Sequence, residues 1–268
     1  MIPFEKYQGC GNDVIIIDAS YVTCASKLIV EICNRYKGVG ADGVILFQKH
    51  PLTMQYFNAD GSEATMCGNG IRCFAKYCFD HQLWKQKNLT IKTKSGIRDI
   101  TLINKDPFIV QVDMGNPSFN TELMHMQQPP SIPFSLTIQD KDVTLYPIYT
   151  TTMHVVIFVS SLTDEDLQLL GKSISKHEMF YHQTNVTFVH ILNKSCIEIK
   201  TYERGIGFTQ GCGSGACAGA YIAHKYKQCD ISIQVLMDGG SIDIHLKDTI
   251  YMSGHAQRIM EGIYYEQS

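Results

Sequence analysis

The sequence predicts an α+β protein of two pseudo-symmetric, mostly-β domains, each a curved sheet or barrel around a central helix. Short β-branched runs bounded by Gly, Asn, Asp or Pro dominate the chain, while only four segments carry helix signals. A plan of strand, long loop, Cys-Gly-x-Gly, helix, strand and glycine turn also occurs twice. At 268 residues, with 44% hydrophobic and 18% charged residues, the chain has apolar material for two cores. The expected domains are residues 1–116 and 117–255, with residues 256–268 returning as a strand of the first.

In the first half, strands are expected at Val14–Ile17, Val44–Phe47, Met54–Asn58, Leu89–Lys94 and Ile109–Val112. In the second, the corresponding runs are Val155–Val159, Val186–Leu192, Ile197–Tyr202, Ile231–Leu236 and Ile242–Leu246. The first helix should start near Ser26, as N-cap, and run to Tyr36, with Gly38 as the stop. Another spans residues 164–176, with an acidic first turn and with Lys176 and His177 at its end. The other two begin just after Cys67 and Cys212 and run to about Leu83 and Lys227. The Pro-rich stretch from Pro117 to Pro133, centred on Gln127-Gln128-Pro129-Pro130, reads as the connection between domains.

The repeat aligns Gln55-Tyr56-Phe57-Asn58 with Lys200-Thr201-Tyr202-Glu203. Eight residues later each copy reaches its motif, Cys67-Gly68-Asn69-Gly70 or Cys212-Gly213-Ser214-Gly215. The turns at Ser95-Gly96 and Gly239-Gly240 then follow at matching distances. A loose G-x-G-x-x-A nucleotide fingerprint at Gly213–Ala218 is set aside, because a long loop separates it from its strand and no parallel βαβ pattern is expected around it.

Composition also excludes. A formal net charge of −3 leaves no basic excess for phosphates, so nucleic acid is not an expected partner. No apolar run approaches the ~18 residues of a membrane helix, and Glu5 and Lys6 interrupt any signal-peptide core. A cytosolic protein is expected, its ten cysteines kept as thiols. Without a Cys-x-x-Cys pair or a zinc-spaced cluster, no metal is expected. Cys10, Cys24, Cys33, Cys78, Cys196 and Cys229 read as packed core. Cys73 and Cys217, facing other directions on their helices, read the same way. From the residues alone His154, His177 and the other histidines are satisfied core or surface groups.

Cys67 and Cys212 differ from these by position. A thiol at a helix N-terminus lies beside unpaired N–H groups and the positive end of the macrodipole, which favour thiolate. Glycines on either side allow a ligand close to the backbone, and the same N–H groups suit a carboxylate. Two such elements suit racemisation, in which a proton leaves one face of an α-carbon and another arrives on the opposite face. One group must be deprotonated and the other protonated, and a thiolate with a thiol meets that need. Backbone donors at Gly68, Asn69, Gly213 and Ser214 would stabilise the carbanion without an electron-sink cofactor.

The residues resemble the diaminopimelate epimerase family. The likeness runs through Gly11-Asn12-Asp13-Val14, Gly38-Val39-Gly40-Ala41-Asp42-Gly43, and Phe57-Asn58-Ala59-Asp60-Gly61-Ser62-Glu63. It continues through Met66-Cys67-Gly68-Asn69-Gly70-Ile71-Arg72-Cys73, Tyr202-Glu203-Arg204-Gly205, and Gly211-Cys212-Gly213-Ser214-Gly215-Ala216-Cys217-Ala218. It implies an active site in a cleft between the domains, a homodimer, and interconversion of LL- and meso-2,6-diaminopimelate without pyridoxal phosphate, in lysine and cell-wall precursor synthesis. By position it implies Cys67 and Cys212 as the acid/base pair, with His154 and Glu203 tuning them. Asn12, Asn58, Gly68, Asn69, Asn185, Glu203, Arg204, Gly213 and Ser214 match substrate contacts. A guanidinium at Arg204 for a carboxylate and an acid at Glu203 for an ammonium suit a second amino-acid centre.

One departure stands out. Where the family usually has Gly-Asn-Pro-His, this chain has Thr151-Thr152-Met153-His154. Threonine at Thr152 lacks the amide's paired donor and acceptor, which typically costs about 0.5–1.5 kcal/mol for one bond. The enzyme alternative is therefore a two-cysteine racemase for another amino acid. Proline racemase-type enzymes usually carry His after the first Cys-Gly, where this chain has Asn69, and they lack the Glu-Arg-Gly. A binding module of the same fold needs no acid/base pair, and a disulfide-linked or zinc-binding structural protein fits the residues less well.

Overall fold

The computed structural model describes residues 1–129, 131–139, 141–163 and 166–266. The chain divides into two compact units, Met1–Asp113 with Ser253–Ser268, and Met114–Met252. The first contains β1 (Ile2–Gly9), β2 (Asn12–Asp18), α1 (Ala25–Cys33), β3 (Gly43–Lys49), β4 (Leu52–Asn58) and β5 (Glu63–Ala64). It continues through α2 (Gly68–Asp80), β6 (Asn88–Thr93), β7 (Gly96–Lys105) and β8 (Phe108–Asp113).

The second unit repeats the order. It contains β9 (Phe134–Ile138), β10 (Lys141–Thr150), β11 (Thr152–Phe158), α3 (Asp166–Ser175), β12 (Asn185–Asn193), β13 (Cys196–Glu203) and β14 (Gly207–Phe208). Then come α4 (Gly213–Lys227), β15 (Ser232–Met237), β16 (Gly240–Leu246) and β17 (Ile250–His255), which runs on into the first unit. The final strand, β18 (Gln257–Tyr264), pairs antiparallel with β1.

The registers repeat as well. β2 pairs parallel with β3, Val14 opposite Gly43, as β11 does with β12, His154 opposite Asn185. β4 and β6 are parallel, as are β13 and β15. Gly96 and Gly240, with φ of +106° and +135°, close the corresponding hairpins β6–β7 and β15–β16. Each long helix is the centre of its unit. α2 packs against β1, β2, β4, β8 and β18, and α4 against β10 to β13, β15 and β16. Every residue of α4 from Gly215 to Ala220 is buried, so the helix is apolar and small all round, as an enclosed helix must be.

Several expectations are corrected. The parallel strands on either side of α1, α2, α3 and α4 make four parallel crossovers, so α4 and its fingerprint do lie in a βαβ arrangement. Pairing direction is not encoded in a strand's own hydrophobic pattern when both faces are buried. The first helix starts at Ala25 with Cys24, not Ser26, in the cap position, and no side chain caps it. It stops at Cys33, because Asn34 Oδ1 accepts the N–H groups of Tyr36 and Lys37 and turns the chain. α2 ends at Asp80, short of Leu83. The stretch from Pro117 to Pro133 is part of the second unit and not a connection. Met124 and Met126 are in its core, and bridges tie Ser118 to Tyr149 and Met126 to Phe180. Pro130 of that stretch, and residues 164 and 165 of the expected third helix, lie outside the described residues. Cys24 is exposed and Cys196 half-buried, against the expectation of core.

Candidate active site

Cys212 is the N-cap of α4, extended at φ −120°, and its Sγ accepts the Gly215 N–H at 3.4 Å. Cys67 is the N-cap of α2, extended at φ −136°, with its Sγ accepting the Gly70 N–H at 3.2 Å. Both thiols therefore face the unpaired N–H groups of a buried helix, whose partial positive charge favours sulfur anion. Cys212 is buried and Cys67 half-buried.

The glycine three residues after each cysteine has a packing reason. A Cβ on Gly215 would lie 2.6 Å from Thr201 Oγ1 and 3.0 Å from Thr187 Oγ1. On Gly70 it would lie 3.0 Å from the Tyr56 ring. The last glycine of each motif presses its helix start onto the strands behind it, a role beyond the ligand access that the sequence suggests.

Behind Cys212 runs a chain of polar groups. Its Sγ lies 3.4 Å from Ser214 Oγ, which lies 2.9 Å from His154 Nε2. His154 Nδ1 is 3.0 Å from Thr187 Oγ1, and that oxygen is 3.3 Å from Thr201 Oγ1. Thr150 Oγ1 donates to the Ser214 carbonyl at 3.0 Å. His154 is fully enclosed, and burial first, then the Arg204 charge, hold its pKa down at about 3. The imidazole is thus neutral at working pH and bonds hydroxyls on both sides. Thr150, Thr187 and Thr201 were not singled out in the sequence. In a strand they are ordinary β-formers, and only the parallel β11–β12 register puts Thr187 beside His154.

The remaining second-unit candidates gather at the ends of β11, β12 and β13. Asn185 accepts the Arg204 N–H at 3.0 Å and donates Nδ2 to the Met153 carbonyl at 3.1 Å, so its amide fixes two strand ends. Glu203 Oε1 accepts from the Thr209 hydroxyl at 2.7 Å. Arg204 is exposed and donates to the His182 carbonyl at 3.4 Å. Thr152 starts β11, immediately after Thr151 in the left-handed region at φ +66°.

In the first unit, Asn69 is buried and its Oδ1 accepts from Arg72 Nη2 at 3.0 Å. Arg72 is itself wholly buried, one turn into α2. It donates Nη1 to the Gly68 carbonyl at 3.1 Å and Nε to the His255 carbonyl at 3.3 Å, with Nη2 also 3.4 Å from Cys10 Sγ. A cation is thus built in beneath the Cys67 helix start, a feature the motif's chemistry did not reveal. Asn58 donates Nδ2 to Ser62 Oγ at 3.0 Å across a tight turn. Asn12 donates Nδ2 to Asp42 Oδ2 at 3.1 Å, and its Oδ1 is buried without a hydrogen bond.

The registers make these two sets equivalent. Val14 and His154 hold the same place, each paired with the first residue of the next parallel strand. Asn12 therefore corresponds to Thr152, and Asn58 and Glu203 both end the strand that precedes the cysteine loop. Cys67 with Cys212, and Asn69 with Ser214, complete the match. Where the second unit has His154, Thr187 and Thr201, the first has Val14, Ile45 and Tyr56, so the two thiols have chemically different backing. Among the described residues no group of three or more His, Cys, Asp or Glu is arranged to hold a metal. None of the described helices is long and apolar enough to cross a membrane.

Residues 4–120 and 146–259 match the family model for diaminopimelate epimerase. The chain belongs to the diaminopimelate epimerase family. A diaminopimelate epimerase of Methanothermobacter thermautotrophicus is 37% identical, covering 98% of this chain and 98% of its own. One from Archaeoglobus fulgidus is 36% identical over 98% of this chain and 96% of its own. Among solved structures, a hydroxyproline epimerase from Agrobacterium vitis, described with bound trans-4-hydroxy-L-proline, aligns at a TM-score of 0.74 with 10% identity. That alignment covers 97% of this chain and 91% of the other. A predicted epimerase from Pseudomonas aeruginosa aligns at 0.69 with 12% identity over the full length of both chains. At those identities the likeness is one of fold, and the fold of this diaminopimelate epimerase family member is the duplicated one described above.

Proposed function

We propose that this chain interconverts LL- and meso-2,6-diaminopimelate by a two-base transfer of the α-proton, with Cys67 and Cys212 as the acid/base pair. The observation that carries the reading is their equivalence: each thiol caps the central helix of its own unit and accepts that helix's third N–H. One sulfur removes the α-proton as thiolate while the other, as thiol, delivers its proton to the opposite face, and the roles exchange with direction. The N–H groups at the two helix starts oppose the charge that develops on the substrate carboxylate. His154 stays neutral and holds Ser214 beside the Cys212 sulfur, so it tunes that thiol through hydrogen bonds and not by carrying a charge. Glu203 and Arg204 suit the ammonium and carboxylate of the second amino-acid centre. No electron-sink cofactor such as pyridoxal phosphate enters this scheme. The enzyme is further proposed to work as a cytoplasmic homodimer in lysine and cell-wall precursor synthesis.

Thr152 favours keeping a second reading, a two-cysteine racemase for a different amino acid. Incubation in deuterated water with LL-diaminopimelate, proline, histidine, glutamate or lysine, followed by NMR of the α-hydrogen, separates the two. Exchange with diaminopimelate, abolished by Cys67→Ala or Cys212→Ala, is expected. Exchange with another amino acid alone would transfer the function to the second reading, and no exchange at all would point to a binding protein.

A further inference from the structure

The Gly38–Gly43 segment has no part in the acid/base scheme, yet its geometry is tightly determined. Gly38 lies against the end of α1, where a Cβ would sit 2.2 Å from the Glu31 carbonyl oxygen. Gly40 is at φ +77°, and a Cβ on Gly43 would sit 2.5 Å from the Tyr56 hydroxyl oxygen. Between them the segment delivers Asp42. The Asp42 N–H donates to the Asp13 carbonyl at 2.9 Å, and Arg35 Nη2 bridges Asp42 Oδ1 at 2.7 Å and Asp13 Oδ1 at 2.8 Å. Lys6 pairs with Asp13 at 2.7 Å and donates to the Gly40 carbonyl at 2.7 Å. Asp42 Oδ2, fixed in this way, accepts both the Asp13 N–H and Asn12 Nδ2 at 3.1 Å.

An ionised carboxylate only accepts hydrogen bonds, so the amide end of Asn12 that faces it must be the nitrogen. Asn12 Oδ1 is then forced the other way, where it is buried and has no hydrogen-bond partner. A buried carbonyl oxygen left without a donor forfeits its hydration with nothing in return, and such atoms are rare unless a donor arrives from outside the protein. The equivalent position in the second unit is Thr152, and the residue in Asp42's place there is Thr184, so no acid fixes it.

We propose that Asp42 is a positioning residue: it locks the Asn12 amide with its carbonyl oxygen toward the ligand, which meets it with an ammonium N–H. This assigns to the Gly38–Gly43 motif the task of making one side of the site an acceptor for a cationic amine. The substrate part of the inference rests on the proposed diaminopimelate reaction, while the orientation of the amide does not.

Two readouts on the full-length protein test it. In steady-state epimerisation of LL-diaminopimelate, Asp42→Asn should raise KM roughly three- to ten-fold, the value of one hydrogen bond, with kcat falling less than KM rises. Asn12→Ala should raise KM similarly, and Asn12→Ala/Asp42→Asn should be no worse than Asn12→Ala, because Asp42 acts through Asn12. Independent, multiplying effects would overturn the proposal. So would an unchanged KM in Asn12→Ala, which would mean a water serves Oδ1, or a lowered Tm with unchanged KM in Asp42→Asn, the mark of a structural role. The second readout needs no turnover. With 15N-labelled asparagine, one Asn12 side-chain amide proton of the free protein should be shifted downfield by the carboxylate, and Asp42→Asn should abolish the shift. If the wild type leaves diaminopimelate untouched, the functional reading fails, and this spectrum alone decides the orientation. An Asn12 amide at free-asparagine shifts would overturn it.

Discussion

His154 sits in a place where charge would be costly. It is fully enclosed between the Ser214 and Thr187 hydroxyls, in reach of the Arg204 charge, and its pKa lies near 3. In the unfolded chain it titrates near 6.5, so between about pH 6.5 and 3 the unfolded state binds the extra proton. Stability is therefore full above about pH 6.5 and falls as the medium is acidified toward pH 3, by up to about 1.4 kcal/mol per pH unit from this group. His255, lowered by burial and by Arg72, adds a smaller effect of the same sign. Carboxylates contribute their own acid loss: burial alone would raise Asp13, but bonds from Arg35 and Lys6 outweigh it and bring it to about 2. Comparing urea unfolding of wild type and His154→Asn from pH 7 to pH 4 isolates the histidine. The variant should show a visibly shallower slope over that range, whatever its absolute stability, and parallel slopes would refute the assignment. At this scale the sequence spoke clearly for Cys67 and Cys212, because cysteine followed by Gly-x-Gly is chemically conspicuous. It gave no role to Thr187, Thr201 or Asp42, whose roles come from registers and turns that bring distant residues together.

At the scale of the element, the helices and strands that the sequence revealed most sharply are the buried ones. β2, β3 and β12 are mainly β-branched or aromatic runs, β4 and β13 alternate apolar with polar residues, and the sequence placed all five. β1, β7 and β10 were not read as strands, and β18 was expected only as a returning segment, 256–268. Pro3 and Pro147 interrupt two of them, and β7 and β18 are largely exposed, so that their alternation is weak. The β10–β11 hairpin shows what its turn requires. Thr150 pairs with Thr152, leaving Thr151 alone at the tip with φ +66°, a conformation that a β-branched residue adopts at a cost of about 1–2 kcal/mol. Thr151→Gly should remove that strain, while the greater freedom of glycine in the unfolded chain offsets part of the gain. A net stabilisation of about 1 kcal/mol is expected in thermal or urea unfolding, and a destabilised variant would show that the threonine makes a contact outweighing its strain.

At the scale of the whole chain, the duplicated plan was legible because each half carries the same turn and motif in the same order. The final strand, expected over residues 256–268, runs from Gln257 to Tyr264. β18 follows the second unit yet completes the first, pairing with β1 from Ile2 to Gln8, just as β9 pairs with β10. Phe4 lies so close to Gly262 that a Cβ there would sit 2.9 Å from its ring, and Ile2 is buried beside the same strand. Deleting residues 257–266 should uncover both side chains, each worth ~1.5–3 kcal/mol of burial. Hydrogen exchange should then report lost protection in β1 and β2 with α4 and β12 still protected. Uniform protection across both units would show that β18 is dispensable. The same pairing sets an order of events in the cell. A ribosome makes β18 only after the whole of the second unit, so the sheet edge at β1 waits, open and apolar, while that unit is being made. The half that emerges first is thus the half that closes last, and during that interval it is the natural client of whatever shields nascent chains from one another.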